Sequence, residues 1–181
     1  MIYTSSEMEM RAVLDACARI SAAARTAPKA KGEDYIVTLT LTENDKDALA
    51  AAMERYGEKT GAKFFLRDAG NVRTAQAIVL IGIRESQRGL NDICRFCHHE
   101  NCADCAAKDS LCAMDAVDVG IALGSAAATA ADLRMDSRIL FSAGRAAMEE
   151  KIMGEDVSLV FGLPVSVSGK SPFFDRKPKN P

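Results

Sequence analysis

Three segments of the chain carry the apolar patterns that are typical of β-strands. β-Branched and aromatic residues alternate along residues 35–41, which predicts a strand. The run at 75–83 is almost wholly apolar, as in a strand that is buried on both faces. A third apolar run, at 157–163, is predicted to end at Pro164, because proline cannot donate a hydrogen bond to a neighbouring strand.

Helical spacing of apolar residues, together with stop signals, predicts four helices. Their predicted ranges are 7–24, 47–56, 115–133 and 145–153. Ser5 and Ser6 are the candidate caps of the first helix, and Gly57 is predicted to end the second. The third helix is rich in Ala, Gly and Ser. Its Gly120 and Gly124 lie on one face, which indicates close contact with a neighbouring helix.

Strands and helices thus alternate along 181 residues, the pattern of one α+β or α/β layered domain. Hydrophobic residues make up 48% of the chain and the net charge is −2, so there is no electrostatic reason to expect binding to nucleic acid or to a membrane surface. The longest uncharged stretch, 119–131, is too short to span a bilayer, and no secretory signal is visible. We therefore expect a cytoplasmic protein, whose cysteines are reduced thiols or metal ligands.

Five of the six cysteines fall within 19 residues, which points to a metal or iron–sulfur centre. They form the pattern Cys94-x2-Cys97-x4-Cys102-x2-Cys105-x6-Cys112. Thiolates are ligands for soft centres, and the two x2 pairs, up to Cys105, could close a zinc tetrahedron. An iron–sulfur cluster also takes four thiolates, so spacing alone leaves both centres open. His98 and His99 are additional nitrogen ligands that could take part.

Other residues with reactive side chains receive structural predictions. Cys17 lies on the apolar face of the first helix, where a buried core thiol is the expected role. Asp115 and Asp118 stand near the predicted start of a helix, where carboxylates favour the helix dipole, so a capping role is predicted for them.

The cysteine segment resembles the small four-cysteine [4Fe–4S] module of several bacterial and archaeal redox proteins. The likeness rests on Cys94-x2-Cys97-x4-Cys102 followed by a later cysteine. It implies that Cys94, Cys97, Cys102 and Cys112 are the cluster ligands and that Cys105 is the extra thiol.

Two longer stretches resemble a prokaryotic family that is described as containing a ferredoxin domain, of the DUF2148 type. They are DVGIALGSAAATAADLRMDSR at 118–138 and GEDVSLVFGLPVSVSGKSPFFDRKP at 154–178. The resemblance implies no particular activity.

A more distant likeness is to the nitroreductase fold. It rests on AARTAPKAKGEDYIVTLTL at 23–41, on the long central helix and on DVSLVFGLP at 156–164, followed by a basic tail. It implies an α+β, three-layer nitroreductase-like body that forms one domain over 1–181, with the cysteine-rich segment 90–114 as an insertion.

The nitroreductase likeness also implies a flavin mononucleotide (FMN) and a two-fold homodimer. The candidate contacts to the flavin phosphate are Arg25 and Lys29 in the early loop, and Lys170 and Arg176 in the tail. The small-residue helix is the segment expected to make a close contact, within one chain or between two.

These features lead to two hypotheses about function. In the first, the protein is an iron–sulfur redox protein, which transfers electrons to a redox partner protein or acts as a flavin-linked, FMN-dependent oxidoreductase on a substrate that the sequence does not identify. In the second, zinc is a structural staple and the protein is a non-enzymatic binding or assembly module.

Overall fold

The computed structural model describes residues 1–174. The α-helices in this range are α1 (Ser5–Thr26), α2 (Glu43–Thr60), α3 (Phe64–Thr74), α4 (Cys102–Ala107), α5 (Ala113–Asp132) and α6 (Phe141–Glu149). The strands are β1 (Ile36–Thr42), β2 (Ala77–Arg84), β3 (Asp136–Ser137) and β4 (Val157–Ser166). They form one antiparallel sheet in the order β1-β2-β4-β3.

The sheet lies between two helical layers, and β2 shows how the sequence builds both. Because side chains alternate along a strand, Val79, Ile81 and Ile83 face α1 and α5, while Ile78 and Leu80 face α2, α3 and α6. All five are fully buried, and burying a side chain of this size contributes roughly 1.5–3 kcal/mol. The predicted α+β, three-layer architecture and the two-sided burial of this strand are confirmed.

Helix ends differ from the predictions where tertiary contacts decide them. Thr4, rather than Ser5 or Ser6, caps α1, in a reciprocal capping box with Glu7. Gly57 does not end α2, since the helix continues to Thr60. A Cβ atom at position 57 would lie 2.8 Å from that of Phe65, so the glycine allows α3 to pack against α2. The sequence patterns did not predict α3.

Pro164 does not end β4, which continues to Ser166. On the edge of β4 that faces away from β2, Gly162 exchanges hydrogen bonds with Leu140. The N–H groups of every second residue of β4 therefore point toward this edge. Position 164 faces the same side, between the bridge at Leu140 and the short strand β3. The missing N–H of the proline therefore falls where no strand pairs with β4.

The outer face of α5 is apolar and open. Val117 and Ile121 are 50% and 40% exposed. A Cβ atom at Gly120 or Gly124 would meet no atom of residues 1–174 within 4 Å, so these two glycines make no close contact there. The predicted close helix contact of α5 is made by its opposite face, which packs on α1, with Ser125 Oγ donating to the carbonyl oxygen of Ala23 at 2.9 Å. Among residues 1–174, α5 is the one helix long and apolar enough to cross a membrane, but its inner face packs on α1 and the sheet, and core helices satisfy the same criterion.

Candidate metal centre

The five clustered cysteines converge on one cavity. The segment that carries them leaves the sheet after β2, makes an irregular loop and the short helix α4, and returns at the start of α5. Its thiols, which are all reduced, come from Cys94, Cys97, Cys102, Cys105 and Cys112. His99 and Arg88 line the same cavity, whereas His98 does not. Residues 18 positions apart in the sequence thus meet at one site.

The backbone around this cavity is held in an uncommon conformation. Asn91, Arg95, His98 and Asp109 all have positive φ values, of 44°, 51°, 63° and 50°. Each such residue costs about 1 kcal/mol or more, and such strain is concentrated at functional sites in many proteins. The loop bends sharply enough to bring its cysteines to one cavity.

Local polar contacts hold the cysteine segment together. The Asn101 side chain caps α4 by accepting the N–H of Asp104 at 2.9 Å. The Asp104 carboxylate in turn lies 3.2 Å from His99 Nδ1 and 2.9 Å from Lys108 Nζ. His99 therefore already has an acidic partner beside the cavity.

The sulfur atoms differ in their surroundings. Cys102 Sγ accepts a hydrogen bond from the backbone N–H of Asn91 at 3.3 Å. The buried Cys105 thiol donates to the carbonyl oxygen of Ser110 at 3.2 Å, and its pKa is raised to about 11, first by burial and then by the neighbouring Cys97. Cys112 is buried at the N-cap of α5.

The thiols do not form a ready-made site for a single ion. Within residues 1–174, no three His, Cys, Asp or Glu side chains are arranged to hold one metal ion. As donors, however, five thiols around one cavity fit a soft centre, which is either a zinc ion or an iron–sulfur cluster.

A buried ionic network separates this cavity from the body of the protein. The Arg88 guanidinium, whose side chain is 1% exposed, lies 2.7 Å from an Asp118 oxygen and 3.2 Å from an Asp115 oxygen. It also donates to Ser86 Oγ at 2.6 Å and lies over the ring of Tyr35. Burial raises the pKa of Asp115, while Ser86 and Arg88 act in the opposite direction.

The predicted capping role of Asp115 and Asp118 is wrong. They lie one turn apart on the inward face of α5 and bind Arg88. Asp118 also accepts the N–H of Ala30 at 3.0 Å, and the carbonyl oxygen of Arg88 accepts from Lys31 Nζ at 3.0 Å. The network thus ties the cysteine segment to the loop that follows α1.

The structure brings together two of the four predicted flavin contacts. Arg25 forms an ion pair with Asp34 at 2.5 Å, and Lys29 Nζ lies 3.8 Å from the same carboxylate while it donates to backbone carbonyl oxygens. Lys170 lies in the exposed segment beyond β4, and Arg176 lies outside the described residues. Arg25 lies in the last turn of α1 rather than in the predicted loop, and both it and Lys29 are thus engaged within the protein. Cys17 is buried as predicted, and burial raises its pKa to about 11.

Solved structures with the same fold include flavin proteins. An oxidoreductase containing FMN is 12% identical, with a TM-score of 0.59, over 86% of this chain and 67% of its own. A putative nitroreductase in complex with FMN from Desulfovibrio desulfuricans is 16% identical, with a TM-score of 0.57, over 91% of this chain and 79% of its own. Nitroreductase A from Vibrio parahaemolyticus is 14% identical, with a TM-score of 0.55. That match covers 92% of this chain but only 62% of the nitroreductase, so the chain spans less than two thirds of that protein. These likenesses show a nitroreductase-like fold.

Sequence comparison identifies the family. The family described as "Uncharacterized protein containing a ferredoxin domain (DUF2148)" matches residues 108–176. An uncharacterized protein from Archaeoglobus fulgidus is 39% identical over 188 aligned residues, which cover 99% of this chain and all of the relative. The chain therefore belongs to this ferredoxin-domain family, and its body has the nitroreductase-like fold.

Proposed function

We propose that the protein is an iron–sulfur redox protein in which Cys94, Cys97, Cys102 and Cys112 hold a [4Fe–4S] cluster. The observation that carries the proposal is the convergence of five reduced thiols on one cavity beneath a strained loop. The ferredoxin-domain family and the redox proteins with the same fold agree with this chemistry.

The cysteine spacing and the ferredoxin-domain family favour a cluster over a zinc ion. Four thiolates around one zinc ion, each about 2.3 Å from the metal, must lie close together. In a cluster each thiolate binds a different iron, so the sulfur atoms are further apart. No three candidate ligands within the described part of the chain are placed to hold one ion, so a zinc site would require the thiols to move together.

The fourth ligand is assigned to Cys112 for two reasons. As a ligand, Cys105 would lose its S–H and with it the hydrogen bond to Ser110. Cys112 stands at the N-terminus of the 20-residue helix α5, where the partial positive charge of the helix dipole stabilises an anionic thiolate. Cys105 then acts as a neutral, buried thiol that supports the segment.

When bound, the cluster would supply one-electron transfer to a redox partner protein or to a flavin. The chain contributes to the electrostatics of the site. The Asn91 N–H at Cys102 would stabilise added negative charge, which favours the reduced state, whereas the Arg88 guanidinium is already paired with the carboxylates of Asp115 and Asp118.

Metal analysis of protein purified without oxygen tests the proposal. We expect about four irons and four acid-labile sulfides per chain, with a visible charge-transfer band that dithionite bleaches. Stoichiometric zinc without sulfide would instead support the structural-staple hypothesis and would overturn the redox proposal.

FMN is the second cofactor that we propose, and Asp34 provides a sharp test of it. A phosphate that bound Arg25 would have to displace the Asp34 carboxylate from it. We therefore expect Asp34→Asn to strengthen FMN binding about tenfold and Arg25→Ala to weaken it by a similar factor, since hydrogen bonds to charged groups contribute about 1.5–3 kcal/mol. Flavin fluorescence quenching measures both constants.

Arg55→Ala is the matched control for flavin binding, because Arg55 pairs with Glu150 in the opposite helical layer. It should leave the FMN affinity unchanged. If wild-type protein binds no FMN, the likeness to nitroreductases is limited to the fold.

We also propose that the outer face of α5 forms a two-fold homodimer contact. Two glycines on an exposed helix face cost about 1 kcal/mol each relative to alanine, and no contact among residues 1–174 requires them. A second copy packed against Val117 and Ile121 would require them, because a small residue lets two helices approach closely.

The dimer is checked by light scattering after size-exclusion chromatography. We expect a dimer at micromolar concentration and a monomer for Gly120→Leu/Gly124→Leu. Gly70→Leu in α3 is the control, since its Cβ atom would also meet nothing. If wild type is a monomer and Gly124→Ala only stabilises it, by about 0.5–1 kcal/mol, the proposed contact does not exist.

A further inference from the structure

A lysine on the loop after α1 bonds to the backbone that leads into the cysteine segment. Lys31 Nζ donates a hydrogen bond to the carbonyl oxygen of Arg88 at 3.0 Å, although the two residues are 57 positions apart in the sequence. The same ammonium group lies 3.1 Å from the Glu33 carboxylate. The bond to Arg88 thus joins two irregular segments of the chain that are distant in sequence.

The loop is shaped to present this lysine. Lys31 and Gly32 have positive φ values, of 60° and 69°, so the chain turns sharply there. The Gly32 N–H closes the turn by donating to the carbonyl oxygen of Lys29 at 3.0 Å, and the Ala30 N–H donates to the buried Asp118 carboxylate at 3.0 Å. Lysine is uncommon in the left-handed region and stays there only where its surroundings hold it. These contacts fix the position from which the lysine side chain extends.

The backbone from Arg88 to Asn91, hereafter the 88–91 turn, carries this attachment to a thiol. At its end the Asn91 N–H donates to Cys102 Sγ at 3.3 Å. The chain then continues to Cys94, whose N–H donates to the carbonyl oxygen of Asn91 at 3.3 Å. Two of the proposed cluster ligands, Cys94 and Cys102, therefore depend on where the 88–91 turn lies.

The buried ionic network fixes the other end of Arg88. Its guanidinium lies 2.7 Å from the carboxylate of Asp118, which also accepts the N–H of Ala30. The side chain of Arg88 is thus anchored in the core, while its backbone carbonyl is anchored by Lys31. Because Arg88 is held at both ends, the residues that follow it have little freedom, and the Asn91 N–H keeps its direction toward the sulfur atom.

We propose that Lys31 is a positioning residue of the metal centre, which holds the 88–91 turn so that the Asn91 N–H meets Cys102 Sγ. Hydrogen bonds to the sulfur atoms are among the factors that set the reduction potential of an iron–sulfur cluster. Lys31 would thus act on the centre without touching it. Its effect on the potential rests on the proposed function, because it requires a cluster at Cys102, whereas its effect on the turn does not.

Hydrogen exchange, measured by mass spectrometry on protein purified without oxygen, tests the effect on the turn. Peptides that span 88–93 should exchange about fivefold faster in Lys31→Met, the change expected when a hydrogen bond of average strength is lost. Lys31→Arg should restore slow exchange, since a guanidinium can donate to the same carbonyl oxygen. Lys151→Met is the matched control, because Lys151 also has a positive φ, of 52°, and pairs with the exposed Glu155. It should leave the exchange of 88–93 unchanged.

Redox titration of the same samples tests the effect on the centre. The midpoint potential should become more negative in Lys31→Met, because the reduced state loses a stabilising N–H, and it should return to the wild-type value in Lys31→Arg. A second pair of variants alters the turn directly. Asn91 has a φ of 44°, which glycine accepts and a β-branched residue resists. Asn91→Gly should therefore keep the wild-type potential, and Asn91→Val should shift it in the same direction as Lys31→Met.

Two results would overturn the proposal. One is unchanged exchange of 88–93 in Lys31→Met, and the other is faster exchange with an unchanged potential. Iron and sulfide are determined on every sample, so the two proposals can fail separately. Protein with zinc or without metal, in which Lys31→Met still exchanges faster, would overturn the redox proposal and confirm that Lys31 positions the turn at Cys102. Protein with a cluster that does not respond to Lys31→Met would overturn the role of Lys31 alone.

Discussion

Replacing Cys94, Cys97, Cys102 or Cys112 by serine is expected to remove most of the iron and sulfide from the protein. A serine hydroxyl is a hard, weakly acidic ligand and does not replace a thiolate on iron. The loop should also lose order in these variants, because its strained backbone has few apolar side chains to hold it and the centre would supply much of its stability. Iron and sulfide assays and proteolysis of the segment measure the two effects.

Cys105→Ser and Cys17→Ser are the matched controls. Serine at position 105 can still donate a hydrogen bond to the carbonyl oxygen of Ser110. Because that bond is retained, the iron and sulfide contents should stay within about 20% of the wild-type contents. Cys17 lies in the core between α1, α5 and the sheet and does not line the cavity of the cysteine cluster. If Cys105→Ser loses the centre and Cys112→Ser keeps it, the ligands are the two x2 pairs, which end at Cys105. Zinc then becomes the better assignment.

The sequence predicted those parts of the fold that local patterns determine. The continuous apolar run of β2 specified a strand between two layers, and helical spacing located α1 and α5. It did not predict that α2 continues through Gly57, because the reason is a contact with Phe65 in the next helix. Likewise, Pro164 can stay in β4 only because the neighbouring edge is interrupted there.

The sequence predicted the cysteines of the candidate site, but it did not predict the buried ionic network around Arg88 that lies beside them. Short spacing alone requires Cys94, Cys97 and Cys102 to lie close together. Arg88 gave no comparable signal, since its carboxylate partners lie about 30 residues away on another element. The one sequence feature near Arg88 is that it belongs to a group of polar residues directly after the apolar run at 75–83.

Arg88→Met is expected to destabilise the protein by about 3–5 kcal/mol, the range measured when one partner of a buried ion pair is removed. Methionine fills much of the volume but leaves the buried Asp118 carboxylate without its cation. The control is Arg84→Met, at the end of β2, the strand that precedes Arg88 in the chain. Arg84 pairs with Asp156 at 3.0 Å, but both side chains are more than half exposed, so the loss should be below about 1 kcal/mol. Urea unfolding curves compare the two variants.

The double variant Arg88→Met/Asp118→Asn identifies the cause of that loss. If an unpaired carboxylate is responsible, neutralising Asp118 should restore much of the stability. The pH dependence adds a check through Asp115, whose pKa burial already raises in the native protein. A carboxyl whose pKa is higher folded than unfolded favours folding when protonated, so the deficit of Arg88→Met should shrink as the pH falls toward that raised pKa. An equal deficit at all pH values, with no recovery in the double variant, would mean that Arg88 acts by packing alone.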